Sequence, residues 1–260
     1  MKQIKPKKYL GQHFLKDSKV SKKIADSLSS KKLKTILEIG PGMGILSQHL
    51  KINKTQTFFI EIDKESIIYL NEKFPDIKKS IINQDFLKLD LTKFKPPIGL
   101  IGNFPYNISS QILFKLIENR NKIDELVGMF QLEVAKRVCA VPGSKTYGIL
   151  SVLVQAFYSA ELLFSLKPHY FNPPPKVDSG LIRLVKKNIN SLDCDEKLFF
   201  KIIKTSFQQR RKTLKNSLKT FNLPNNIKED VIFERRPETL SVDDFILLTN
   251  IIDDGTIPAY

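Results

Sequence analysis

Cysteine is scarce in this chain: only Cys139 and Cys194 are present among 260 residues, far apart and in no metal-binding spacing. That excludes a disulfide framework and a zinc-knuckle reading, and two free or buried thiols in a reducing compartment are expected. Long apolar runs are missing as well. No stretch reaches the 18 residues that a membrane-spanning helix needs, so no membrane partner is expected. The first residues, MKQIKPKKYLGQHFLKD, are basic but have neither the apolar stretch of a secretory signal nor the character of an organellar transit peptide, which makes a cytoplasmic location the expectation. Acid is the third shortage. Against 42 Lys+Arg there are 27 Asp+Glu, giving a formal charge of +15 and a pI of about 9.6. Such a surplus favours a polyanionic partner through phosphate contacts and counterion release. A lysine-rich proteome would raise the total but would not cluster it. Residues 1–23 hold eight lysines and one acid, Asp17, and residues 201–219 hold seven basic residues and no acid.

What is present has a clear rhythm. Short β-rich runs, TILEIG (35–40), TFFIEID (57–63), SIINQD (80–85), PIGLIG (97–102) and LVGMFQ (126–131), alternate with three-to-four-spaced apolar patterns such as ILSQHL and SSQILFKLIENR. This alternation predicts parallel pairing in a doubly wound α/β sheet. After a helical YGILSVLVQAFY, the runs AELLFSLKP and SGLIRLVKK are expected to form an antiparallel hairpin at the sheet edge. Beyond residue 186 the pattern turns all helical. Ile203, Phe207, Leu214 and Leu218 share one face of a helix through 201–219, and Ser241 stands as the N-cap of SVDDFILLTNII. The expected division is 1–186 for the α/β domain and 187–260 for a small all-helical one.

In an open parallel sheet, ligands bind beyond the carboxyl ends of the strands. The first strand runs into Glu38-Ile39-Gly40-Pro41-Gly42-Met43-Gly44, where glycines let backbone approach a ligand closely. Such a turn alone is shared by dinucleotide sites and ordinary tight turns. The second strand ends in Glu61, placed to accept from ribose hydroxyls, and the third in Asp85, a candidate acceptor for an adenine amino group. Each acid taken singly could equally be a surface carboxylate or helix cap. With Asn103 on the fourth strand they form a polar row along one sheet edge.

A nicotinamide dinucleotide and S-adenosylmethionine would both use the glycine turn and Glu61, so the fourth strand discriminates. It ends in Asn103-Phe104-Pro105-Tyr106. The Asn103 side-chain oxygen and the Phe104 carbonyl can accept the two hydrogens of an exocyclic amine. Pro105 stiffens the turn, and Tyr106 offers a ring for a base to stack on. This is catalysis by orientation, with neither a metal nor a nucleophilic side chain required.

The ordered segments GQHFL (11–15), LEIGPGMG (37–44), IEID (60–63), QD (84–85), NFPYNIS (103–109), QLEVAKR (131–137), YGILSV (147–152), FNPPPKVDSG (171–180) and RRKTLKNSL (210–218) resemble the rRNA adenine N6-dimethyltransferases, specifically the small-subunit, kasugamycin-resistance branch. The resemblance spans nearly the whole chain. It implies a Rossmann-like class I methyltransferase fold with a helical C-terminal domain. It also implies S-adenosylmethionine as cofactor, S-adenosylhomocysteine as product, and cofactor contacts from His13, Leu15, Gly40, Gly42, Glu61, Asp85 and Asn103. Phe171 becomes a second stacking ring opposite Tyr106, so the target base has left its stack. Position 13 is His where Asn is common in the family, and position 149 is Ile where a basic residue is usual.

The implied reaction places two methyl groups on N6 of each of two adjacent adenosines in the 3′-terminal hairpin loop of small-subunit rRNA, on a pre-30S particle, by a protein with no evident need to be more than a monomer. Lys204, Arg211, Lys212 and Lys215 are the expected rRNA-phosphate contacts. Two alternatives are a large-subunit rRNA methyltransferase of the macrolide-resistance type and a ribosome-assembly factor acting by binding alone.

Overall fold

The computed structural model describes residues 4–29, 32–50, 55–189 and 191–255. Among the described residues nine strands form: β1 (Phe14–Leu15), β2 (Thr35–Ile39), β3 (Gln56–Glu61), β4 (Ile81–Asn83), β5 (Ile98–Asn103), β6 (Ile123–Gln131), β7 (Tyr158–Leu166), β8 (Phe171–Asn172) and β9 (Ser179–Lys186). Seven of them make one sheet in the order β4-β3-β2-β5-β6-β9-β7. From β4 to β6 every neighbouring pair is parallel, and β9 runs antiparallel to β6. The expected doubly wound core with a β7/β9 edge is therefore present. All five residues of β2 are buried, as are Ile98–Gly102 of β5, so both sheet faces are covered. Strands buried on both faces read as continuous rather than alternating apolar runs, which is how TILEI and IGLIG look in the sequence.

The chain divides into two compact units. One comprises 1–136 and 159–186, the other 137–158 and 187–260. The expected boundary at 186/187 falls where the chain changes unit. The segment 137–158 was expected in the larger unit and instead belongs with the C-terminal helices. The helix Ile149–Phe157 explains why: seven of its nine residues are buried, and it contacts the helices Glu196–Gln208 and Val242–Asp254. A helix that is apolar almost all round must be enclosed by other elements.

Two helical expectations need correction. ILSQHL forms only a 3-10 turn at Ser47–His49, because the glycine turn before it occupies the residues that would begin a helix. The helix through 201–219 is broken. It runs from Glu196 to Gln208, and a separate turn of helix covers Leu214–Ser217. Ser241 does cap the last helix, in a reciprocal box with Asp244. Among the described residues no helix is long and apolar enough to cross a membrane.

Candidate active site

Four adjacent strands deliver one site. In the order β4, β3, β2, β5, their carboxyl ends carry Asp85, Glu61, Gly40 and Asn103, and all four residues line a single pocket with His13, Phe104, Pro105 and Tyr106. Local folding explains each placement. Asp85 caps the 3-10 turn Phe86–Lys88 by accepting from Leu87 N at 2.9 Å, so its cap role and its pocket position coexist.

Glu61 is 4% exposed and accepts three backbone N–H bonds, from Gly42 at 3.0 Å and from Ile62 and Asp63 at 2.9 Å each. Burial raises its pKa, against those three donors, and the nearby Asp63 charge adds to the rise. The carboxylate thereby locks the glycine turn to the end of β3. Gly42 thus acts through its backbone and does not line the pocket wall. With φ of +54°, it also leaves no room for a side chain, since a Cβ there would lie 2.8 Å from the Phe14 ring.

Asn103 donates from Nδ2 to the His13 carbonyl at 2.6 Å. A carbonyl only accepts, so the amide orientation is fixed and Oδ1 is left for an outside donor. The Phe104 side chain is an anchor: it is 1% exposed, edge-on to Phe130 at 5.1 Å, and lies in a slot where a Cβ on Gly128 would come within 2.1 Å of the ring. That leaves its backbone at the pocket. The Tyr106 hydroxyl pairs with Ser179, and burial raises its pKa against that hydrogen bond.

The GQHFL segment lies over these groups. His13 Nδ1 bonds the Pro173 carbonyl at 2.7 Å, which makes it the protonated nitrogen, and the imidazole stacks on Tyr106 with centroids 5.5 Å apart. Gln12 donates to Asp63 at 3.2 Å, and Lys7 ion-pairs with the same carboxylate at 2.5 Å. Burial alone would raise Asp63, but the bonds from Lys7, Gln12 and Ser66 lower it.

Two expected residues lie elsewhere. Leu15 is a core residue, though it borders a smaller cavity with Gly40 and Asn103. Phe171 is 1% exposed and does not line the pocket. Antiparallel pairing of β1 with β8 sets Leu15 against Phe171, and both are buried in the core.

Sequence reasoning missed Ile62 and Gln84, which also line the pocket. An exposed isoleucine directly after a strand-ending acid was a readable sign for the first. It also gave Glu38 no role. Glu38 is 1% exposed, its Oε2 has no partner among the described residues, and burial pushes its pKa up to about 8, with the Ser47 hydroxyl opposing and Glu61 adding.

The residues present fit an adenosine-bearing cofactor with a cationic end. Gly40 faces the pocket with open space where a Cβ would stand, and the orphaned Glu38 oxygen lies in the smaller cavity that shares Gly40 and Asn103.

The basic residues expected to contact rRNA phosphates do not share one helix. Lys204 stays on the helix Glu196–Gln208, Arg211 and Lys212 lie in the turn after it, and Lys215 pairs with Glu234 at 3.5 Å. The turn exists because Arg210 is held by Glu238 at 2.5 Å and by the Ser144 carbonyl at 3.3 Å. Arg211 and Lys212 line a cleft with Lys145, Arg210, Gln208 and Glu238.

Comparison with known proteins bears on the same site. The family model described as "Ribosomal RNA adenine dimethylase" matches residues 3–254. A "Ribosomal RNA small subunit methyltransferase A" of Flavobacterium johnsoniae is 55% identical, covering 98% of this chain and 99% of that protein. One of the same description from Bacteroides thetaiotaomicron is 51% identical over 98% and 97%. Among solved structures, a dimethyladenosine transferase from Plasmodium falciparum superposes with a TM-score of 0.80 at 27% identity, over 94% of this chain and 98% of that one.

Proposed function

The chain belongs to the ribosomal RNA adenine dimethylase family, and from that premise we propose how the Asn103-Phe104-Pro105-Tyr106 turn performs the reaction. The protein is an S-adenosylmethionine-dependent rRNA adenine-N6 dimethyltransferase of the small-subunit branch. When bound, S-adenosylmethionine supplies the methyl group and the sulfonium that makes it electrophilic. The chain's own residues supply position. Asp85, Glu61 and Gly40 follow one another across the sheet next to Asn103 and would hold the base, the ribose and the start of the amino-acid end of the cofactor. Asn103 Oδ1 and the Phe104 carbonyl accept the two N6 hydrogens of the target adenine. Its lone pair, ordinarily delocalised into the ring, is then favoured on a pyramidal nitrogen facing the methyl group. Orientation of this kind accounts for large rate gains without a protein nucleophile.

One observation carries this reading. The Asn103 amide is pinned by its nitrogen to the His13 carbonyl, which leaves the oxygen as the acceptor. The substrate is two adjacent adenosines in the 3′-terminal hairpin loop of small-subunit rRNA, met on a pre-30S particle in the cytoplasm by a monomer. Arg211 and Lys212, with Lys204 and Lys215 at the margins, contact rRNA phosphates. Mass spectrometry of small-subunit RNA from cells with and without the gene tests the substrate. Dimethyladenosine absent from the terminal hairpin only in the deletion supports it, and unchanged methylation refutes it. Complementation with Asn103→Ala, folded by circular dichroism yet unable to restore the mark, tests the mechanism.

A further inference from the structure

Two stretches of chain that line the pocket, residues 10–13 and the pair Glu61 and Ile62 at the end of β3, are fastened to each other. Asp63 receives the Lys7 ammonium on Oδ1 at 2.5 Å and the Gln12 amide on Oδ2 at 3.2 Å. Gln12 in turn accepts from the Lys7 backbone N–H at 2.8 Å, so Lys7, Gln12 and Asp63 close a ring of three contacts. Lys7 also reaches Glu65 at 3.0 Å. Asp63 is the fixed member. It is buried, caps the helix Lys64–Lys73 by accepting from Glu65 N at 3.2 Å, and takes the Ser66 hydroxyl at 2.9 Å. At the far end of the segment, the His13 carbonyl receives Asn103 of β5 at 2.6 Å, and between the ends Asn107 makes a long contact, 3.5 Å, to the Tyr9 carbonyl. A segment held beside β3 and again at β5 crosses the carboxyl end of β2, which lies between them and leads into Gly40.

We propose that Lys7 is a positioning residue: its ion pair with Asp63 clasps residues 7–13 across the cofactor pocket and sets the rate of cofactor exchange. This role rests on the assignment of the pocket to S-adenosylmethionine given above. Asp63 is bound to its own helix, so the N-terminal segment is the part that swings aside, and each opening breaks the Lys7 contacts. The pair is partly shielded, with the two side chains 24% and 1% exposed, whereas Glu65 is 59% exposed and its contact is screened. A charge-assisted bond to a buried carboxylate shifts such an opening equilibrium by roughly tenfold or more, and the neutral Gln12 amide by less. The clasp is made by the chain's own residues, so it favours closure with or without cofactor. Loosening it therefore speeds entry and exit alike and leaves equilibrium affinity nearly unchanged. Four methyl groups on one rRNA require four rounds of product exchange for fresh cofactor, so this rate enters turnover.

The test follows tritiated S-adenosylhomocysteine on the full-length protein without RNA. Release is timed by a chase with unlabelled compound, entry by rapid filtration, and affinity is measured by calorimetry. In Lys7→Met both rates are expected to rise about tenfold together, while the dissociation constant stays within about threefold of wild type. Lys7→Arg keeps the charge and is expected to return both rates to within about threefold of wild type. Unchanged rates in Lys7→Met overturn the proposal. So does a tenfold weaker affinity carried by release alone, which would make Lys7 a cofactor contact or a general support of the site. Asp85→Ala with wild-type affinity would take the cofactor out of this pocket and overturn the reading on which the clasp rests.

Discussion

At the level of single side chains, Asn103 works through the asymmetry of its amide, one end donating and the other accepting. Asn103→Asp keeps the shape but sets a second oxygen 2.6 Å from the His13 carbonyl oxygen, where the amide nitrogen had been. Repulsion displaces the group, and a misplacement of about 1 Å in an oriented site costs ~10²-fold in rate. Methyl transfer by this variant is expected to fall about a hundredfold with little change in melting temperature; activity within tenfold of wild type would refute the orientation account. Glu38 makes a second prediction. Its folded pKa of about 8 lies above the ordinary carboxyl value of 4.5, so the native state holds a proton that the unfolded chain releases. Its contribution to stability is complete below about pH 4.5 and is lost as pH rises toward 8, by up to ~1.4 kcal/mol per pH unit. Glu61, the neighbouring charge, is raised as well and acts in the same direction, while the Ser47 hydroxyl opposes. Calorimetric melting from pH 5 to 8 should show Glu38→Gln losing less stability than wild type across that window. Parallel curves for the two proteins would place the proton elsewhere.

Between elements, the decisive contact is the Phe104 ring lodged against Gly128 of β6, which ties the catalytic turn to the sheet. Gly128→Ala puts a methyl 2.1 Å from that ring, and overpacking of this kind costs about 1–3 kcal/mol. Urea unfolding should register the loss, and methyl transfer should fall further than stability alone explains because the turn moves; an alanine variant equal to wild type in both would show the anchor to be dispensable. The same contact marks where sequence reading reached its limit. The glycine turn, Glu61, Asp85 and Asn103 were legible because each ends a strand whose apolar run is visible, and parallel topology brings such ends together. The Phe104 slot was not legible, since glycines on two strands create it. Nor was the His13–Tyr106 stack, made by residues 93 positions apart only after β1 pairs with β8. That same pairing took Phe171 into the core. The helix through 201–219 was misread because apolar spacing carried across the break, while the cause, Arg210 held by Glu238, is a contact at long range.

For the molecule as a whole, the charge of +15 sets how it meets RNA, and position decides which charges count. A cation already paired releases little counterion on meeting a phosphate. Lys7 is committed to Asp63 and Glu65, Arg210 to Glu238, and Lys215 to Glu234. Arg211 and Lys212 are exposed and line the cleft of the helical unit. For single-stranded contacts, the logarithm of affinity falls with the logarithm of salt by about 0.7 per neutralised phosphate. Removing both cations in Arg211→Ala/Lys212→Ala is therefore expected to flatten the slope by roughly 1.4 and to weaken binding at low salt for any RNA sequence. Lys215→Ala, which removes a paired cation, should change the slope by clearly less. Filter-binding titrations of the rRNA hairpin between about 50 and 200 mM salt measure both. If the double variant keeps the wild-type slope, the cleft is not where the phosphates lie; if Lys215→Ala flattens it as much, pairing does not decide which charges act.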